Sequence, residues 1–156
     1  AFGSTLTSNA LDAAFKGEAL TLPSEALVAE RFERADPELI HQRREALRQA
    51  IGRALAEPLA EAQAATAPGD DLSVAAKGTR RLRTVALALL AAGDPARGAA
   101  LAKAQYDLAD NMTDRQGALA VLAGLDAPER QAAFDDFYAR YRGDSLVIDK
   151  WFALQA

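Results

Sequence analysis

The sequence predicts an all-α fold: an open array of about seven or eight antiparallel helices, stacked in a superhelical, solenoid-like manner. Composition is the first reason. Half of the 156 residues are apolar but only 6% are aromatic, and alanine supplies many of the rest. Alanine loses no rotamer freedom in a helix, so this balance suits closely packed helices better than strands. The second reason is that cap-like residues recur at helix-length intervals. The third is that apolar residues between them repeat every three or four positions, and no stretch alternates with period two for long enough to make a strand.

Ser24, following Pro23, reads as the first cap. Asp36-Pro37 offers an N-cap with proline at the first helical position, and Asp94-Pro95 repeats the device. After Pro37, Ile40, Leu47, Ile51, Leu55, Leu59 and Ala62 line one face of a long helix that Pro58 is expected to kink. The stretch 64–71, with Thr66, Pro68 and Gly69, is the clearest loop. Leu72, Ala75, Ala76, Thr79, Leu82, Ala86 and Leu89 define the next helix, and Ala100, Leu101, Ala104 and Leu108 a shorter one. Asn111-Met112-Thr113-Asp114 makes a tight corner, with Asn111 in the left-handed region and Thr113 opening the capping box Thr113-Asp114-Arg115-Gln116. Leu119 and Leu122 mark the helix that follows. Asp126-Ala127-Pro128-Glu129 is a second box, leading to Phe134, Phe137 and Tyr141. Gly143-Asp144 reads as one exit and the next cap. Caps near Asp36 and Asp71, and near Asp94 and Asp126, hint at a helical-hairpin repeat of roughly tetratricopeptide length, without that repeat's consensus set.

Charge and composition exclude several functions. Lys and Arg number 18 against 22 acids, a net charge of −4 with both signs interspersed, which argues against a nucleic-acid binder. The absence of cysteine removes disulfides, thiolate nucleophiles and sulfur-ligated metals. The longest apolar run, Val85 to Ala92, is far short of the roughly 20 residues that span a bilayer.

The candidate chemistry is thin. His41 and Glu45 share the spacing of helical metal sites, but zinc needs a third ligand, and Arg44 and Arg48 would repel a cation; a solvated face with Glu–Arg pairing is the better reading. Lys77, Arg80, Arg81 and Arg83 form the basic cluster, read as a solvated or inter-domain face because no aromatics interleave for base stacking. Gly93 to Gly98 has phosphate-loop glycine spacing, but Ala99-Ala100 stands where lysine and a hydroxyl belong. Asp135 and Asp136 point about 100° apart on a helix. Ser24, Ser73 and Ser145 lie in no nucleophile elbow. No catalytic, cofactor-binding or metal-binding residue is assigned.

The run Leu146 to Ala156 is apolar and helix-like with no stop signal, and Ala1-Phe2-Gly3 lacks an initiator methionine. The sequence is therefore expected to be a segment of a longer protein, its apolar end covered by further helices. Three strings occur in one order: Ala19-Leu20-Thr21-Leu22-Pro23-Ser24-Glu25, then Asn111-Met112-Thr113-Asp114, then Val147-Ile148-Asp149-Lys150-Trp151-Phe152-Ala153-Leu154-Gln155-Ala156. Together they resemble the C-terminal helical region of bacterial aminopeptidase N, the M1 family of zinc metallopeptidases, from about Leu11 onward.

That resemblance implies a multi-domain, usually cytoplasmic hydrolase that removes N-terminal amino acids from peptides. Its catalytic domain would lie upstream, with an H-E-x-x-H helix, a downstream glutamate as third zinc ligand and a Gly-x-Met-Glu-Asn strand for the substrate's amine. There zinc would polarise the scissile carbonyl and activate water. None of these motifs is in this chain, so no site residue carries over. Residues 1–156 are implied to be one helical segment, the N-terminal part of a larger C-terminal helical domain. It would be an inert wall that binds no zinc, encloses the chamber and controls access. Its partners would be its own catalytic domain and the remaining C-terminal helices, with peptide substrates for the whole enzyme, and no nucleic acid or membrane. The alternative is an autonomous helical-repeat module that binds a peptide or protein on a concave surface.

Overall fold

Prolines and short polar caps set the helix boundaries. The computed structural model describes residues 1–67 and 69–155; Pro68 of the expected loop and Ala156 of the third string lie outside the described residues. The helices are α1 (Phe2–Thr7), α2 (Ala13–Ala19), α3 (Glu25–Ala29), α4 (Pro37–Ala54), α5 (Ala56–Ala64), α6 (Val74–Gly93), α7 (Pro95–Leu108), α8 (Met112–Ala123), α9 (Pro128–Tyr141) and α10 (Ser145–Ala153). No strand occurs among the described residues. The all-α expectation holds, and the surplus over seven or eight comes from α1 to α3, of five to seven residues each. Such pieces are too short for a helical period to register.

Side-chain caps hold most of the starts. Ser24, Asp36, Ser73 and Asp94 each accept a hydrogen bond from the backbone N–H three residues on, and Asp144 accepts from Leu146 and Val147. Two expected boxes are displaced. Asn111, not Thr113, is the N-cap of α8, with an extended φ of −137° rather than a left-handed one, and its side chain accepts from Asp114 N–H. Ala127 precedes α9 without a capping side chain, leaving Asp126 outside. Proline disfavours the α region for the residue before it and suits the first helical position, so Pro128 fixes that start whatever side chain stands at 127.

Pro58 breaks rather than kinks the long helix. A proline clashes with the carbonyl four residues back and cannot bond to it. That carbonyl belongs to Ala54, where α4 stops; Leu55, at φ −119° and ψ 25°, hands the chain to α5.

The central helix is α6, which packs against α2, α4, α5, α7 and α8. One half of the core gathers Leu6, Leu20, Ile51, Leu59, Leu82 and Leu90. The other gathers Leu87, Tyr106, Leu119, Leu122, Phe134 and Phe137. Three crossings bring backbones close together, one of them between α2 and α6, where a Cβ on Gly78 would lie 2.8 Å from Ala14 N. A Cβ on Gly52 would lie 2.1 Å from the Leu89 carbonyl oxygen, and one on Gly98 would lie 2.3 Å from Ala91 Cα.

The buried face of α7 is only partly the expected one, since of the four residues read as its face Leu101 alone packs against the core. Gly98, Ala99, Ala102, Gln105 and Tyr106 face the core, while Ala100 and Ala104 are exposed and Leu108 is 82% exposed. An alanine-rich helix carries apolar residues all round, so hydrophobicity does not choose its face. Close approach does: Gly98 lets the start of α7 sit against Ala91, and Gln105 and Tyr106 then turn inward further along the helix.

At the far end, α10 lies on α9. Trp151 Nε1 donates to the Phe134 carbonyl at 2.9 Å, and its ring tilts against Tyr138 with centroids 5.1 Å apart. This buries one face of α10 and leaves Leu146 and Phe152 turned outward.

Candidate functional site

The polar residues that the packing draws together lie where α5, α6, α7 and α8 meet, beside Gly69 and Asp71. Arg83 of α6 donates from Nη1 to Asp114 Oδ2 at 3.0 Å and from Nε to the Gln63 carbonyl at 3.0 Å. The two charged side chains are only 12% and 4% exposed. Asn111 Nδ2 also donates to Asp114 Oδ2, at 3.1 Å. Gln105 donates from Nε2 to the Asp114 carbonyl at 3.1 Å and accepts from Gln63 Nε2 at 3.2 Å. One turn before Arg83, the buried Arg80 donates to the Asp71 carbonyl. Asp110 receives Gly69 N–H at 3.1 Å, and the Asn111 amide, then that N–H, hold its carboxyl below the usual range.

The basic cluster is therefore divided. Lys77 and Arg81 face solvent as expected, but Arg80 and Arg83 turn inward, so the solvated-face reading fails for them. A guanidinium can enter a core only with its charge and its donors matched. Here Asp114 supplies the charge and two backbone carbonyls supply acceptors. Among the described residues, Asp114 Oδ1 and Arg115 Nε are buried without a protein partner. Nothing in the cluster is a free nucleophile or an available acid–base pair. Chemically it is a tie holding four helices and a loop.

A second set of polar contacts joins α7, α8 and α9. The Tyr106 hydroxyl donates to Asp136 Oδ2 at 2.8 Å, and Arg140 Nε donates to the same oxygen at 2.6 Å. Burial first, then the Asp136 carboxylate, push the Tyr106 hydroxyl well above its ordinary pKa, so it stays protonated at neutral pH. Arg115 donates to the Tyr141 hydroxyl at 2.8 Å and to the Ala109 carbonyl. Asp135, by contrast, accepts from Gln131, so the two neighbouring acids serve different partners.

The helical pair His41 and Glu45 is also parted. His41 Nδ1 lies 2.9 Å from Glu25 Oε1 on α3, while Glu45 is taken by Arg48 at 2.9 Å. The Glu25 hydrogen bond and then its charge raise the His41 pKa above 6.5. A raised folded-state pKa means that the pairing stabilises α3 against α4 below pH 6.5 and is lost as pH rises through the folded value. NMR titration of the His41 ring is expected to show a midpoint above 6.5 that falls back in Glu25→Gln; an unchanged midpoint would mean that the pair does not form.

The other candidates are turn chemistry. Gly93 ends α6, Asp94 caps α7 and Pro95 begins it, so the phosphate-loop spacing is a helix corner. Ser24 and Ser73 are caps, and Ser145 opens α10. Among the described residues no group of three or more His, Cys, Asp or Glu could hold a metal ion. None of the helices described is long and apolar enough to cross a membrane.

A groove of about 410 Å³ between α3 and α4 went unread in the sequence. Leu22, Val28, Phe32, Ile40 and Leu47 line it, with Arg43 and Arg44 at its rim. It presents no reactive group.

Comparison with known proteins gives this architecture its family. A family model described as "Domain of unknown function (DUF3458_C) ARM repeats" matches residues 1–156. The repeat class is thus ARM, not the tetratricopeptide-length hairpin that the cap spacing hinted at. Aminopeptidase N of Caulobacter vibrioides is 35% identical over 157 residues, covering 99% of this chain and 18% of that protein. Aminopeptidase N of Escherichia coli is 35% identical over 159 residues, again 18% of its length. The chain thus spans about a fifth of these curated relatives. The crystal structure of Legionella pneumophila aminopeptidase A in complex with aspartic acid shares the fold, with a TM-score of 0.82 at 24% identity over 99% of this chain and 19% of that one. Matched along its whole length by that model and by these sequences, the chain belongs to the DUF3458_C family, the ARM-repeat helical segment found in bacterial aminopeptidase N.

Proposed function

We propose that this chain is the helical part of a cytoplasmic zinc aminopeptidase of the M1 class. In this reading it forms the N-terminal part of a larger helical domain that walls the active-site chamber and limits access to peptides. The observation that carries the reading is 35% identity to aminopeptidase N across 99% and 100% of this chain, against 18% of each relative. A wall needs rigidity and no reactive group. The buried Arg83–Asp114 tie and the backbone contact of α4 with α6 supply rigidity.

The side chains present do not fit zinc. His41 and Glu45 serve different partners, and Arg44 and Arg48 both approach Glu45 Oε1, at 3.6 and 2.9 Å. Zinc chemistry accordingly belongs to a catalytic domain elsewhere in the longer polypeptide. The chain's partners there are that domain and further C-terminal helices, which would rest on the outward face of α10.

Purified chain given equimolar zinc and an aminoacyl 4-nitroanilide is expected to show no turnover and to retain no metal after desalting. Stoichiometric zinc with turnover would overturn the reading.

A further inference from the structure

The groove between α3 and α4 continues into a second hollow of about 340 Å³, for Leu22 and Arg44 line both. The first hollow is apolar, walled by Val28, Phe32, Leu39 and Leu47. The second is cationic: Arg44 and Arg48 line it from α4 and Arg81 from α6, beside Thr21 and Thr84. The walls of this trough come from within residues 20–48 and 81–89.

Every charged residue that lines the two hollows is an arginine, in a chain whose net charge is −4. Two carboxylates pair with them: Glu45 lies 2.9 Å from Arg48 and 3.6 Å from Arg44, and the exposed Glu18 lies 3.6 Å from Arg81. Neither pairing uses up the donors. Arg44 donates one hydrogen bond, from Nε to the Pro23 carbonyl at 2.9 Å, and Arg81 one, from Nη2 to the Thr21 hydroxyl at 3.1 Å. Their other N–H groups make none among the described residues. A guanidinium has several N–H groups to offer, so both arginines can still take an anion.

We propose that this trough binds the C-terminal residue of a peptide, with its free α-carboxylate on Arg44 and Arg81 and its apolar side chain in the α3–α4 hollow. An arginine fork matches a carboxylate in shape as well as in charge. The two hollows meet at Leu22 and Arg44, so the anion and the apolar group must diverge from nearly one point. A carboxylate and a side chain do so from a single Cα. The source of such peptides rests on the peptidase reading, because a peptide trimmed from its amino end keeps its terminal carboxylate throughout. The binding itself is a property of these helices.

The probe is acetyl-Ala-Ala-Leu, blocked at its amino end so that it is not cleaved. Titrated into the chain to about 5 mM and followed by amide NMR, it is expected to shift Leu22, Arg44, Leu47 and Arg81 with a Kd of about 0.1–1 mM. The C-terminal amide of the same peptide should bind about ten-fold more weakly, having lost its charge-assisted hydrogen bonds. Arg81→Gln, at a half-exposed position, should weaken the acid by a similar factor. Acetyl-Ala-Ala-Gly, without the apolar side chain, should also lose about ten-fold. Absence of binding, equal affinity for acid and amide, or binding unchanged in Arg81→Gln would overturn the proposal. So would binding that the longer polypeptide lacks, since another domain then fills the trough. If binding fails while the longer polypeptide still cleaves aminoacyl anilides, the site falls and the peptidase reading stands. Binding without such cleavage keeps the site and strikes that reading.

Discussion

Asp114→Ala is expected to destabilise the fold by about 3–5 kcal/mol, the usual cost of leaving one half of a buried ion pair without the other. The Arg83 side chain is 12% exposed, and among the described residues Asp114 is the carboxylate that it pairs with. Its remaining acceptor, the Gln63 carbonyl, is neutral, and the Asn111 amide loses one of its two acceptors, while Gln105 keeps its bond to the backbone carbonyl of residue 114. Globular domains have a total stability of about 5–15 kcal/mol, so a single substitution consumes a large part of it. The denaturation midpoint in urea should fall sharply. Lys103 and Asp107, paired at 2.6 Å on the surface of α7, provide the contrast: Asp107→Ala is expected to cost under about 1 kcal/mol. Equal losses for the two variants would mean that the buried pair is not what ties the helices.

Gly52→Ala is expected to cost about 3 kcal/mol, at the upper end of what overpacking does to a core. Its new methyl would lie 2.1 Å from the Leu89 carbonyl oxygen and 2.8 Å from Gly93 N. These are backbone atoms, and a backbone cannot rotate aside as a side chain does. Helices α4 and α6 would have to part, opening the core around Ile51 and Leu89. Gly143→Ala is the control. Nothing lies within 4 Å of its Cβ position, and no described glycine has a positive φ. That change is expected to be neutral or stabilising by up to about 1 kcal/mol. A thermal melt separates the two variants, and similar melting temperatures would contradict the close crossing.

What the sequence revealed was local. Asp36-Pro37, Asp94-Pro95 and Gly143-Asp144 act over three or four residues, and each sits where expected. Leu119, Leu122, Phe134 and Phe137 are buried as read, because large side chains on a helix leave little doubt about its inner face. The family likeness was legible too, and the string Asn111 to Asp114, one of the three that carried it, was structurally read as a corner. The corner is real, but Asp114 also anchors an arginine 31 residues earlier, a partnership no local pattern displays. For the same reason Arg80 and Arg83 passed for a solvated face. A signal for the tight crossings was present and unused. Gly52, Gly78 and Gly98 sit inside helices, where glycine costs about 1 kcal/mol relative to alanine. Each marks a place where a neighbouring backbone comes within reach. The groove between α3 and α4 stayed hidden because α3 is five residues long, less than two turns.

The measurement that bears most directly on the wall is the length dependence of peptide cleavage in the longer polypeptide that carries this segment. Specificity constants would be compared for a short aminoacyl anilide and a long unstructured peptide, with the segment native and with Asp114→Ala. If the segment walls a chamber, the native protein disfavours the long peptide, and loosening the Arg83–Asp114 tie raises the long-to-short ratio several-fold. An identical ratio in the two proteins would mean that these helices do not control access.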